Sequence, residues 1–490
     1  DNTVVNVALP SIQDDLGVSL SGLEWTVNIY TLTFAVLLVT GGRLGDILGR
    51  RKMFLFGVMV FALSSASIGL SPNEGWLIAG RALQGMGAAF MMPGTLSIIS
   101  NTFPPAERGR AIGTWAGVSA LALAIGPVVG GALAEYVSWR AIFFLNLPVA
   151  IGAVAVTLFA THESRDESHE HSIDWAGIAA LSLGLSALVL ALVEGNAWGW
   201  GSGRILGLLA VAVVAIAAFF AIEPRVREPM VDFSLFRSRT FLGANGIAFI
   251  VSFAMFAMFF FTALYMQNIL GYSPIEAGVR FLPSTLMIVL VAPLAGRLTD
   301  KVGPRPLMVS GLSLVTLALF LQTRIDVDTG YGLLLPAFVL MGLGMALVMS
   351  PMSTAAMNAV VPEKAGVGSG ILSMNRMVGA TFGVAALGAL FQHLARSELA
   401  DKLAGTGVSK AQQNQIVHSL GVGGGDAMPP EAAHAARDAF IHALSSGMWL
   451  SAGVAALGVV LAFWLIAPKK AERPDPARRP EAAAEAVSAG

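Results

Sequence analysis

Insertion scales put a charge at mid-membrane at a cost of about 2.5–3.5 kcal/mol, so ionisable residues inside long apolar runs are candidates for chemistry. Asp1 opens the stretch Asp1-Asn2-Thr3-Val4-Val5-Asn6-Val7-Ala8-Leu9-Pro10. Arg81 and Gln84 stand three apart in Arg81-Ala82-Leu83-Gln84-Gly85-Met86-Gly87, hence on one helix face, with Gly85 leaving room for a neighbour. Asn375-Arg376 lies in the middle of a later run. Arg376 suits a buried carboxylate or a substrate anion, and a purely structural pairing suits it equally. Asn28 and Tyr30, with Trp25, are placed to line a cavity, although Trp25 also suits an interfacial belt. Desolvation disfavours the charged form of a carboxyl group, so an acid in such surroundings exchanges protons or cations.

A second cluster, Gly41–Met53, packs four cations, one carboxylate and four glycines between two apolar runs. It reads as a short loop held at a membrane surface, and its basic excess makes it cytoplasmic. Its pattern Gly42-Arg43-Leu44-x-Asp46-x-x-Gly49-x-Arg51 returns as Gly296-Arg297-Leu298-x-Asp300-x-x-Gly303-x-Arg305, 254 residues later. The chain is internally duplicated.

Of 490 residues, 55% are hydrophobic and 12% charged, about half the charged share of a soluble domain. The fold class is therefore an all-α membrane protein. Runs of about 17–25 apolar residues place fourteen spans near 1–12, 23–43, 53–71, 76–99, 108–133, 140–161, 174–194, 203–222, 241–269, 275–297, 306–323, 331–355, 364–391 and 446–467. The first is short, so the chain is expected to begin inside its first transmembrane helix. With Gly41–Met53 placed inside, twenty of the thirty Lys and Arg residues fall on cytoplasmic segments and seven outside. Both termini are then cytoplasmic. The duplicated loops occupy equivalent places if spans 7 and 8 are an insert. That gives a six-helix unit over 1–161, two inserted helices over 162–240, a second six-helix unit over 241–467 with a long outer loop at 396–445, and a disordered cytoplasmic tail over 468–490.

Several classes of chemistry are excluded or disfavoured. There are no cysteines, so no disulfide or thiolate metal site forms. No G-x-x-x-x-G-K-[ST] loop is present. His162, His169 and His171 lie in a charged stretch and read as solvated rather than as metal ligands. The spans lack the clustered nucleophiles of a membrane-embedded enzyme and any ring-forming filter of a channel.

The Gly41–Met53 pattern resembles the signature loop of the major facilitator superfamily, and a 6 + 2 + 6 layout resembles its fourteen-helix drug:proton antiporter branch. Parallel six-helix repeats are the architecture of that superfamily. The stretch after Asp1 is similar to the branch's first-helix motif, L-D-x-T-V-V-N-V-A-L-P. Arg81–Gly87 matches the R-x-x-Q-G-x-G of its fourth helix. Gly126-Pro127-Val128-Val129-Gly130-Gly131 matches the G-P-x-x-G-G that distinguishes its antiporters.

The resemblance implies export of amphipathic or cationic small molecules by alternating access, driven by a proton gradient without a bound cofactor. It implies that Asp1 exchanges protons, that Arg81 sets the field on a nearby carboxylate, and that Asp46 latches the cytoplasmic side against the amino-terminal end of span 13. Arg50 would pair with Asp46 or with lipid phosphate. At Asp300 the latch is expected to be weaker, because Pro304 replaces the first basic residue. Small-molecule substrate, protons and the lipid bilayer of the plasma membrane are the expected partners, with no nucleic acid and a monomeric chain. An uptake porter on the same fold is the alternative, and the Gly126–Gly131 match disfavours it.

Overall fold

The computed structural model describes residues 2–165, 173–226, 229–326, 329–402 and 430–468. Among them fifteen α-helices follow one another. They are α1 (Asn2–Leu16), α2 (Leu20–Leu48), α3 (Arg50–Gly69), α4 (Glu74–Thr102), α5 (Arg108–Tyr136), α6 (Trp139–Ala160), α7 (Trp175–Trp198) and α8 (Gly203–Ile222). Then come α9 (Arg239–Asn268), α10 (Pro274–Arg280), α11 (Leu282–Val302), α12 (Pro304–Gln322), α13 (Tyr331–Asn358), α14 (Ala365–Lys402) and α15 (Pro430–Leu465). Thirteen of these are long and apolar enough to cross a membrane. Helix α1 has 15 residues and α10 has 7. The tail beyond Pro468, His169, His171, Asp1 and most of the expected outer loop lie outside the described residues.

Apolar runs located the helices, and matched α6 and α8 in length, but underestimated several others. The stretch Gly41–Met53 is not a loop. Helix α2 continues to Leu48 and α3 begins at Arg50, so Gly49 alone joins them, with a φ of 112° that only glycine adopts without strain. The duplicate behaves the same way, with Gly303 at φ 87° between α11 and α12. Polar residues carry these helices past the apolar limit because they are bonded to neighbouring helices rather than exposed. The tenth span is broken: Ser273 and Glu276 form a capping box that opens α10, and Pro283, which has no N–H, starts α11 afresh. Helices α14 and α15 both reach into residues expected to be outer loop.

Lipid tails are as apolar as leucine, so close packing rather than apolar burial holds such helices together. In the first bundle α4 packs against α2 and α3, α3 against α6, and α5 against α1. In the second, α9 packs against α14 and α15, and α12 and α11 against α13. The inserted helices α7 and α8 pair with each other, and α7 lies along the seam where α2 meets α14. Side chains such as Phe159 and Trp464 are left on the lipid-facing surface.

Two crossings join the bundles, α2 with α14 and α5 with α11. Each pairs the second helix of one bundle with the fifth of the other, so the two are related by the duplication. Glycines make both. A Cβ on Gly42 would lie 2.2 Å from the Gly366 carbonyl oxygen, and one on Gly366 would lie 2.3 Å from that of Gly42. At the other crossing a Cβ on Gly296 would lie 2.1 Å from the Gly109 carbonyl oxygen, and one on Gly113 would lie 2.5 Å from that of Ala292. The obstacle is backbone in every case, so it does not swing aside.

Gly296→Val should therefore destabilise the purified protein by about 1–3 kcal/mol, the usual cost of overpacking. Gly207→Ala faces open space and should leave thermal unfolding unchanged. Equal melting temperatures for both variants would contradict the crossing geometry.

Candidate functional site

The first feature of the site grows from the end of α2. Asp46 is fully buried and Arg50 is 2% exposed. Arg50 donates to Asp46 Oδ1 from Nε at 2.9 Å and from Nη2 at 2.6 Å. Across the bundle interface the backbone N–H of Gly366 donates to Oδ1 and that of Val367 to Oδ2, both at 2.8 Å. These amides belong to the first turn of α14, where N–H groups have no partner within the helix and carry partial positive charge. Arg50 Nη2 also donates to the carbonyls of Pro362 (2.5 Å) and Glu363 (2.9 Å), in the turn that leads into α14. One carboxylate thus collects four donors from both bundles. Removing one partner from such a buried pair costs about 3–5 kcal/mol.

Asp300 makes the related contact. It accepts from the backbone N–H groups of Gly109 and Arg110, each at 2.9 Å, in the first turn of α5. Pro304 occupies the position equivalent to Arg50 and starts α12, where proline is favoured. The backbone part of this latch matches that of Asp46, because main-chain amides supply both. Only the guanidinium has no counterpart at this position. Arg108 Nη1 donates to Asn358 at 2.9 Å, just before the turn into α14, so both latches lie at one end of the molecule.

Gly49 forms the turn beside this latch, and a residue that the sequence reading passed over lies against it. The Glu163 carboxylate accepts from the backbone N–H groups of Arg51 and Lys52, each at 3.1 Å, and so caps α3. Arg51 Nη2 donates to the Leu158 carbonyl at 2.9 Å. The connector after α6 is therefore tied to the latch end, which no local pattern at Glu163 announced.

The second feature lies inside the first bundle. Arg81 does not snorkel to the surface; it is fully buried. Its Nε donates to the Thr26 carbonyl at 3.0 Å and its Nη1 to Gln84 Oε1 at 2.6 Å. The guanidinium stands over the Tyr30 ring, 4.3 Å from the centroid. Gln84 donates to Ser65 Oγ at 2.6 Å, and Asn146 donates to the same oxygen at 3.2 Å. Helices α2, α3, α4 and α6 thus share one buried polar chain. Gly85 permits it: a Cβ there would lie 2.5 Å from the Tyr30 carbonyl oxygen. Ser65 and Asn146 were missed, although a polar residue inside an apolar run was the available signal. Asn28 is half-buried on α2. Asn6 falls on α1, but its side chain lies outside the described residues, as does Asp1.

In the second bundle Arg376 is half-buried in mid-helix on α14 and makes no hydrogen bond or ion pair among the described residues. Its neighbour Asn375 donates to Asn245 at 3.1 Å. On α5, Gly126 and Gly130 are buried and Gly131 is half-buried, while the side chain of Pro127 is outside the described residues. No group of three or more His, Cys, Asp or Glu residues with metal-holding geometry occurs among the described residues.

Comparison with known proteins matches residues 1–384 to the family model of the Major Facilitator Superfamily. The chain is 37% identical over 488 residues to the tetracenomycin C resistance and export protein of Streptomyces glaucescens, covering 98% of this chain and 90% of that one. It is 36% identical to the puromycin resistance protein of Streptomyces alboniger (82% and 80% covered). It is 37% identical to the multidrug resistance protein Stp of Mycobacterium tuberculosis (80% and 72% covered). Among solved structures, the human organic anion transporter MFSD10 shares the fold, with a TM-score of 0.58 at 15% identity over 94% of this chain and 89% of that one. The two latches, the buried Arg81 chain and these matches agree: the chain is a multi-pass membrane transporter that belongs to the Major Facilitator Superfamily.

Proposed function

We propose that this transporter is a proton-driven antiporter that exports amphipathic or cationic small molecules by alternating access. It works in the plasma membrane as a monomer, with both termini and the latch end on the cytoplasmic side. The observation that supports this most is the pair of duplication-related latches, Asp46 on α14 and Asp300 on α5, which tie the bundles together at one end. Contacts placed there must break before substrate enters from that side. The relatives named for resistance to tetracenomycin C and puromycin support antibiotics as the substrate class.

The first bundle supports a proton gradient as the energy source. A guanidinium buried among Thr26, Gln84 and Tyr30 sets a positive field inside the first bundle. Asp1, beside it in this reading, takes a proton from outside and releases it inward, with substrate occupying the site in exchange. Arg376 faces the substrate from the other bundle and accepts its acidic group where there is one. The glycines of α5 over Gly126–Gly131 let that helix bend as the bundles rock.

Everted vesicles holding the full-length protein test the first claim. An imposed pH gradient should drive uptake of a lipophilic cation, and Arg81→Ala should lower the rate by tenfold or more, since it removes the buried charge and the donor to Gln84 Oε1, at about 1–3 kcal/mol. Uptake indifferent to the gradient would reject proton antiport.

Substrate choice tests the second. Arg376→Gln should slow transport of acidic substrates by about tenfold, from the loss of one charged hydrogen bond, and spare lipophilic cations. Equal slowing of both classes would make Arg376 structural.

A further inference from the structure

The two inserted helices have no counterpart in either copy of the duplication, and at the latch end they enclose an unusual pair of acids. Asp174 caps the start of α7, where its Oδ1 accepts from Gly177 N–H at 2.8 Å. Glu223 follows the last residue of α8 and is 1% exposed; its Oε1 accepts from the backbone N–H of Val231. Asp174 is 9% exposed. The second oxygen of each, Asp174 Oδ2 and Glu223 Oε2, is buried and has no hydrogen-bond partner among the described residues. Both point to one place: a Cβ on Gly177 would lie 2.3 Å from the first and 2.7 Å from the second. Two buried acceptors face each other with no donor between them among the described residues. A proton on either turns that carboxyl into a donor to the other and satisfies both.

We propose that Asp174 and Glu223 form a proton-binding site, one proton shared by two carboxyl groups, that sets how firmly the inserted helices hold the Asp46 latch. A bonded path joins the two. Val231, held by Glu223, is followed by Asp232, which pairs with Lys364. Lys364 ends the turn Pro362–Lys364, whose Pro362 and Glu363 carbonyls receive Arg50, and Arg50 holds Asp46. Helix α7 also lies against both latched helices, α2 and α14.

Among the described residues, the charged groups acting on Glu223 are Asp174 at the start of α7 and Arg43 from α2. Arg225 turns back onto the Ala221 carbonyl. Burial pushes the Asp232 carboxyl up, but the Lys364 ammonium and the Ser234 donors outweigh it and hold it down at about 2. That tether is a stability contribution present above the ordinary carboxyl range and lost only as pH falls towards 2. It stays charged near neutrality, so pH sensitivity there belongs to the acid pair. With the proton bound, the connector stays docked and the latch is favoured. As pH rises the proton leaves, like charges face each other in a buried space, and the connector loosens.

Infrared difference spectroscopy on the full-length protein in lipid nanodiscs, between acidic and alkaline buffer, tests the site without any transport reading. A protonated-carboxyl band should be present in the wild type and absent in both Glu223→Gln and Asp174→Asn. Spin labels at positions 52 and 363 read the latch in parallel. Their separation should lengthen as pH rises in the wild type and become insensitive to pH in Glu223→Gln. Asp232→Asn cuts the path downstream, so it should keep the band and lose the latch response. A band unchanged in both acid variants would overturn the proposal, as would a band that responds to sodium or potassium chloride at fixed pH. A latch response retained in Asp232→Asn would overturn the path. Because neither readout needs a proton gradient, these results stand apart from the success or failure of proton antiport.

Discussion

The structure depends on a buried carboxylate placed against the unpaired amides of a helix that belongs to the other bundle. Such a contact suits a transporter because it is strong when closed and replaceable when open: the first amides of a helix have no internal partner, and water satisfies them once the bundles part. An aspartate side chain is short. It reaches a main-chain amide in another helix only where the two backbones nearly touch, and this is why Gly42, Gly366, Gly109 and Gly296 stand at the same crossings as Asp46 and Asp300. Acid and glycines form one device, used twice.

The two copies differ in what surrounds them. Asp46 is enclosed by Arg50, which fastens it to the turn before α14, while Asp300 caps α5 with proline at the equivalent position. Around the first copy the chain has added further attachments. Glu163 caps α3 beside Gly49, and α7 rests on the seam of α2 and α14. The α2–α14 side is therefore the more heavily braced of the two crossings. The inserted helices extend that brace rather than forming an independent domain.

Much of this was legible in the sequence. Apolar run lengths gave the number and order of the spans, the duplicated Gly-Arg-Leu-x-Asp pattern gave the equivalence of α2 and α11, and the three-residue spacing of Arg81 and Gln84 gave their shared face. The rest depended on partners distant in the chain. Glu163 and Asp174 sit in polar stretches that look like any connector, and their roles arise from amides that no pattern marks. Ser65 and Asn146 become informative only once α3, α4 and α6 are packed together. The amides that Gly109 and Arg110 offer Asp300 were not legible either, because main-chain donors leave no mark in a sequence. Helix ends were misplaced for a related reason: a bonded polar residue extends a helix beyond its apolar run, as Asp46 does in α2.

The chain contains no cysteine, so labels introduced at positions 52 and 363 report on the latch end alone. The most direct measurement is the distance distribution between them in lipid, by pulsed electron paramagnetic resonance, for the wild type, Asp46→Asn, Asp300→Asn and the double variant. The account predicts a short, narrow distribution in the wild type, a partial shift to longer distances in each single variant, and a predominantly long distribution in the double. A double variant that keeps the wild-type distance would show that the bundles are held together at this end by something other than the two carboxylates.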